Sequence, residues 1–189
     1  MPRLFTALEV PLSIRTHLAL LRSPLGGAKW VEAEHMHITL RFAGDVDERT
    51  ADEFAAALAR VRAEPIVIAI RNAGAFGGRD PRVLWAGVEG GEALEALYRA
   101  HERAARSAGL ERDRRGFKPH VTLARMRGAK HRAVARFLQE NSGLRTEPFV
   151  AERFVLFSAR PGAGGGPYAV EAEYPLLRGG ARADHGRYA

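Results

Sequence analysis

A tetrapeptide occurs twice in this chain, as His37-Ile38-Thr39-Leu40 and His120-Val121-Thr122-Leu123, and the 83 residues from His37 to His120 are close to half of its 189-residue length. The same shift carries Pro65 onto Pro148. Hydropathy around each copy repeats too: a strand, a helix, a strand opening near the His, a helix, then two strands. Such a chain is expected to fold as two similar halves. Residues i and i+2 of a strand share a face, so each copy presents His and Thr together and turns its Ile or Val, and then its Leu, the other way. If the halves pack about a pseudo-twofold axis, both His-x-Thr faces look into one cleft.

The predicted elements run as follows. A strand at Arg3–Val10 is ended by Pro11, and a helix spans Leu12–Leu21. A strand at His35–Ala43 closes on Gly44-Asp45, and a helix covers Asp47–Arg62 with Phe54, Leu58 and Val61 on one face. Strands at Ile66–Ile70 and Arg82–Val88 flank a turn at Gly77-Gly78. A helix over Glu92–Ala108 is closed by Gly109, the basic segment Arg112–Arg115 follows, and then come a strand at His120–Arg125 and a helix at Lys130–Glu140. Strands Phe149–Phe157 and Tyr168–Leu176 are joined by a hairpin loop over Pro161–Pro167. One folded unit over 1–177 is expected, with 178–189 a disordered basic tail.

Two facing imidazoles suit phosphodiester chemistry. Each titrates near neutrality, so one serves as neutral base while the other, protonated, serves as acid. The Thr hydroxyls can donate to non-bridging phosphate oxygens, and the scheme requires no metal or cofactor. The net charge of +7 makes polyanions plausible partners, and only Lys29, Lys118 and Lys130 among the 29 basic residues are lysines. Coding bias toward Arg, Ala and Gly explains that surplus equally well. The chain has no Cys, which excludes disulfides, thiolate metal sites and a Cys nucleophile. No apolar run reaches the ~20 residues of a membrane span, and no secretory signal is read at the N-terminus, so a soluble cytoplasmic protein is expected.

On these residues the chain resembles the 2H phosphoesterases, and specifically the RNA 2',3'-cyclic phosphodiesterases, also called 2'-5' RNA ligase-like proteins. The resemblance covers nearly the whole chain. Besides the two tetrapeptides it rests on RLFTALEV at the start, HITLRFAGDV at His37–Val46, RVLWAGV at Arg82–Val88, FKPHVTLAR at Phe117–Arg125, and Tyr168 with the alternating strand that ends in Pro175-Leu176. It implies an α+β fold in which two pseudo-symmetric lobes of antiparallel sheet with outer helices surround a central cleft. It also implies hydrolysis of an RNA 2',3'-cyclic phosphate end to a 2'-phosphomonoester, with His37 the proton donor, His120 the proton acceptor, and Thr39 and Thr122 the phosphate ligands. Some members join RNA halves through a 2'-5' linkage, so RNA ends, tRNA fragments among them, are the expected partners of a monomer. Because the tetrapeptides are nearly identical, the two His roles are interchangeable on sequence grounds.

Six further residues are candidates for substrate contact. Arg41 shares strand parity with His37 and Thr39. Arg125 fits the HVTLAR pattern but needs a bulge to reach the cleft. Phe42 and Trp85, with Trp30 and Phe76, are candidates for stacking on bases, although aromatics beside strands are more often core. His35-x-His37 has a spacing that metal sites use, but no third His or carboxylate set accompanies it. His17, His101, His131 and His185 are read as isolated and solvated. The rival readings are a non-catalytic RNA-binding module, suggested by Arg115-Gly116-Phe117, and a 2H enzyme for small cyclic nucleotides. Lys118-Pro119 departs from the RNA-recognition pattern.

Overall fold

In the computed structural model, which describes residues 3–159 and 168–177, the strand readings become one curled antiparallel sheet. In chain order the elements are β1 (Arg3–Glu9), α1 (Leu12–Ala19), β2 (Ala28–Trp30), β3 (His37–Asp45), α2 (Glu48–Leu58), β4 (Ile66–Phe76), β5 (Val83–Glu89), α3 (Gly91–Ser107), β6 (His120–Met126), α4 (His131–Glu140), β7 (Phe149–Ala151), β8 (Arg153–Ala159) and β9 (Tyr168–Pro175). The strand order is β7-β4-β5-β6-β3-β1-β8-β9, with β2 paired to β6. Read outward from β3 and β6, the order is symmetric: β1 and β5 flank that pair, then β8 and β4. The expected pseudo-twofold axis therefore passes between the strands that carry the tetrapeptides.

Those two strands pair in register at a single position, Ile38 opposite Val121, and both side chains are fully buried. A second seam lies where β4 meets β7, with Ile66 opposite Ala151 and Ile68 opposite Phe149. The long strand read over Phe149–Phe157 breaks at Glu152, so that β7 pairs with β4 while β8 pairs with β1. One stretch of chain thereby serves both ends of the sheet and draws them together.

Apolar stripes on the helices cover the outer face of the sheet. Phe54, Ala57 and Leu58 of α2, Leu94 and Leu97 of α3, and Val134 and Phe137 of α4 are buried there. Asp47 caps α2 by accepting the Thr50 N–H at 2.7 Å. That helix ends at Leu58, short of the predicted Arg62, because the Arg60 and Val61 N–H groups bond three residues back, to the Ala57 and Leu58 carbonyls, and tighten the last turn. Strand β4 runs on past Ile70 to Phe76 by bulging at Asn72, whose φ is 59°. The strand expected from His35 starts at His37, since Ala33–His35 form a 3-10 turn. The predicted loop at 161–167 and tail at 178–189, with His185, lie outside the described residues.

His101 corrects the reading of an isolated solvated residue. It continues the α3 stripe seven residues after Leu94, is fully buried, gives its Nδ1–H to the Leu97 carbonyl at 2.8 Å, and meets Phe154 edge-on at 4.4 Å. Burial pushes its pKa down to about 4 from 6.5. Between those values the unfolded chain binds a proton that the folded chain refuses, so stability is complete above pH 6.5 and falls as pH drops toward 4. Acidification from pH 7 to pH 5 is expected to cost about 2 kcal/mol through this ring. Urea unfolding of wild type and His101→Leu at both pH values checks this: the variant should lose that share of the pH dependence, and an equal dependence in both proteins would assign it elsewhere.

Candidate active site

With Ile38 and Val121 facing the core across the central seam, pleating turns His37, Thr39, His120 and Thr122 to the opposite face. All four are half-buried. In the antiparallel sense each His stands across the seam from the other strand's Thr. The His37 Nδ1–H donates to the His35 carbonyl at 2.8 Å and the His120 Nδ1–H to the Lys118 carbonyl at 2.7 Å, the same bond two residues back in each half. A carbonyl only accepts, so both rings carry the proton on Nδ1 and leave Nε2 for chemistry.

Beyond the shared Thr, each strand bulges at the equivalent Leu. Thr39 pairs with Ala7 and Arg41 with Thr6, which leaves Leu40 extra; Thr122 pairs with Trp85 and Ala124 with Leu84, which leaves Leu123 extra. Two consecutive residues then face the core, and the third returns to the cleft face. In β6 this buries Ala124 and exposes Arg125, which supplies the bulge that Arg125 needed. Its charge bears on both His rings.

The same bulge in β3 overturns the expectation for Arg41. It is 5% exposed, on the core side, where its Nε donates to Glu102 at 2.7 Å and its Nη groups donate to the Phe42 and Glu111 carbonyls. Strand parity, the ground for placing it at the phosphate, does not survive the extra residue. Phe42 takes the cleft-facing place instead, 40% exposed and 5.6 Å from Phe5.

Aromatic rings wall each His. Around His37 stand Phe5 at 5.0 Å, Tyr168 edge-on at 5.3 Å and Phe157 at 6.2 Å; around His120 stand Phe76 edge-on at 5.0 Å and Trp85 at 6.4 Å. Trp85 lies flat across Gly74, where a Cβ would come within 2.1 Å of the indole, and the Lys118 ammonium sits 4.6 Å from the Trp85 ring centroid. Sequence pattern does not single out Phe5, Phe157, Tyr168 or Lys118 as site residues. Their signal lies in strand pairing, with Phe5 opposite both Phe42 and Phe157 and Tyr168 opposite Ala159, and in a Lys two residues before His120.

Burial lowers the pKa of His37 to about 4 despite its carbonyl bond, and the nearby Arg125 and His120 push the same way. Burial also lowers His120, helped by Lys118 and Arg125. Both rings are therefore mostly neutral at pH 7, and an anion bound beside either one favours its protonated form. Trp30 belongs to the packing instead, 5.7 Å from Phe137 with its Nε1–H on the Ser23 carbonyl. Phe117, in the loop between α3 and β6, stacks on Tyr98 at 4.1 Å, so Arg115-Gly116-Phe117 is not the strand an RNA-recognition motif requires. Among the described residues no three His, Asp or Glu side chains gather as a metal site would require, and no helix is long and apolar enough to cross a membrane.

Several known proteins are similar to this chain. It is 44% identical over 115 residues to an RNA 2',3'-cyclic phosphodiesterase of Aeropyrum pernix, covering 59% of this chain and 65% of that protein. A Geobacillus stearothermophilus protein of the same name is 39% identical over 127 residues, 62% of this chain and 40% of its own length. A third, from Methanothermobacter thermautotrophicus, is 35% identical over 138 residues, 69% of this chain and 74% of that protein. The chain thus spans under two thirds of the first two relatives. In fold it resembles E. coli LigT in its apo form, with TM-score 0.75 at 23% identity over 94% of this chain and 99% of that one. It also resembles TT0787 of Thermus thermophilus, with TM-score 0.74 at 25% identity over 92% and 97%. A sequence profile spanning residues 10–161 takes in both tetrapeptides and the strands that join them, and by that match the chain belongs to the 2'-5' RNA ligase superfamily.

Proposed function

We propose that the cleft hydrolyses the 2',3'-cyclic phosphate at an RNA end to a 2'-phosphomonoester. The observation that carries this reading is the symmetric pair of Nδ1–carbonyl bonds, which leaves two Nε2 atoms, one from each half of the unit over 1–177, on the face they share with two Thr hydroxyls. The names of the relatives point to the same chemistry.

In the proposed reaction one ring takes a proton from water as its oxygen bonds to phosphorus. The other ring gives its proton to the 3'-oxygen as the P–O3' bond breaks. His37 is assigned as donor and His120 as acceptor, with the substrate's negative charge raising the donor's pKa. Thr39 and Thr122 donate to the non-bridging oxygens, and Arg125 balances the charge that builds there. Phe42, Phe76 and Trp85 offer surfaces for the terminal bases. Attack by the 5'-hydroxyl of a second RNA in place of water leaves a 2'-5' linkage. The proposed setting is a cytoplasmic monomer acting on RNA, tRNA fragments included.

The test is incubation with an oligoribonucleotide ending in a 2',3'-cyclic phosphate, with 2'- and 3'-phosphate products separated. Only the 2'-phosphate is expected, at a rate EDTA leaves unchanged. A 3'-phosphate product, or tight binding with no turnover by folded protein, overturns the proposal.

A further inference from the structure

A cavity of about 530 Å³ opens between the end of β3 and the loop at 109–115, lined by none of the four His and Thr residues of the cleft. Arg112, Arg114 and Arg115 line it. The loop that presents them is pinned: Glu102 accepts the Asp113 N–H at 3.2 Å, and Arg41 donates to the Glu111 carbonyl. Arg115 is committed to Asp113 at 3.0 Å. Arg112 and Arg114 are exposed and make no ion pair with a carboxylate among the described residues, with Glu111 the one acid of the loop not held in such a pair. The cavity also adjoins the cleft, because Arg115 places its guanidinium carbon 5.6 Å over the ring of Phe42, which packs against Phe5 beside His37.

A planar guanidinium pairs with a phosphate through two parallel hydrogen bonds, and an arginine over an aromatic ring is a platform on which a base can lie. We infer that this cavity is a second phosphate subsite, in which Arg112 and Arg114 hold an internal phosphodiester of the RNA strand whose cyclic end occupies the cleft, with the Phe42–Arg115 pair beneath the nucleotide between them. The inference rests on the RNA-end reading above and adds to it a reason for preferring strands over mononucleotides.

The experiment compares wild type with Arg112→Ala/Arg114→Ala on two substrates, adenosine 2',3'-cyclic phosphate and a decamer ending in a cyclic phosphate. A control variant, Arg103→Ala/Arg132→Ala, removes the same charge from the exposed faces of α3 and α4. For the decamer the first variant should raise KM about tenfold and flatten the dependence of log affinity on log salt by about 0.7 for each phosphate it no longer neutralises, while leaving the mononucleotide unchanged. The control should alter neither substrate. A decamer KM within about twofold of wild type, an equal effect of the control, or a parallel loss on the mononucleotide each overturns the subsite. If wild type turns over neither substrate, the phosphodiesterase reading falls. Fluorescence anisotropy of the labelled decamer then decides the subsite, since weaker binding by the first variant alone sustains it and equal binding overturns it.

Discussion

Replacing either His37 or His120 with alanine is expected to lower kcat on a cyclic-phosphate RNA end by about a thousandfold, within the range a positioned proton-transfer group supplies, while KM changes little. The double variant should lose less than the product of the two single effects, because each ring contributes less when the other is missing. The pH profiles of the residual activities assign the roles. Without the proton donor, the rate requires only that the remaining base be neutral, so it rises with pH to a plateau. Without the acceptor, it requires only that the remaining acid be protonated, so it falls as pH rises. This holds whichever ring has the lower pKa, which matters because burial takes His37 to about 4. Rising-only activity in His37→Ala and falling-only activity in His120→Ala support the proposed assignment; the reverse pair exchanges the roles. Turnover within tenfold of wild type in either variant removes that ring from the chemistry.

The elements that sequence shows best are those in which side-chain period alone decides the structure. The two His-x-Thr faces, the pseudo-twofold relation and the order of strands and helices follow from alternation, helical spacing and one repeated motif. What pattern alone misses depends on the neighbouring strand. Whether Leu40 and Leu123 are extra residues is settled by β1 and β5, which have no partner for them. The hydropathy around them nonetheless carries a trace, in that Leu123-Ala124 places two apolar residues together where strict alternation allows one. β2 has only three residues and pairs with β6, too short for a period to register. His101 is legible in principle, since Leu94, Leu97, His101, Ala104 and Ala105 form a helical stripe and a residue on such a stripe is a core residue whatever its polarity.

Arg41 yields the second large effect, on stability and not on catalysis. Its guanidinium is held on the core side by Glu102 and by the carbonyls of Phe42 and Glu111, and Glu102 in turn accepts the Asp113 N–H. The Arg41–Glu102 pair is shielded, with side chains 5% and 15% exposed. Arg41→Met keeps most of the volume but strands a poorly solvated carboxylate and two carbonyls, so it should destabilise the fold by about 3 kcal/mol, at the lower end for breaking a buried pair. Arg41→Met/Glu102→Met removes both charges and should recover more than half of that loss, because most of the cost lies in the charge left without a partner. Urea midpoints of wild type, both single variants and the double variant give the coupling directly. In conditions where the single variant is fully folded, its turnover of a cyclic mononucleotide should match wild type. A stable Arg41→Met protein with that turnover lost would instead put Arg41 at the phosphate, where strand parity alone had placed it, and would require the β3 bulge to relax when substrate binds.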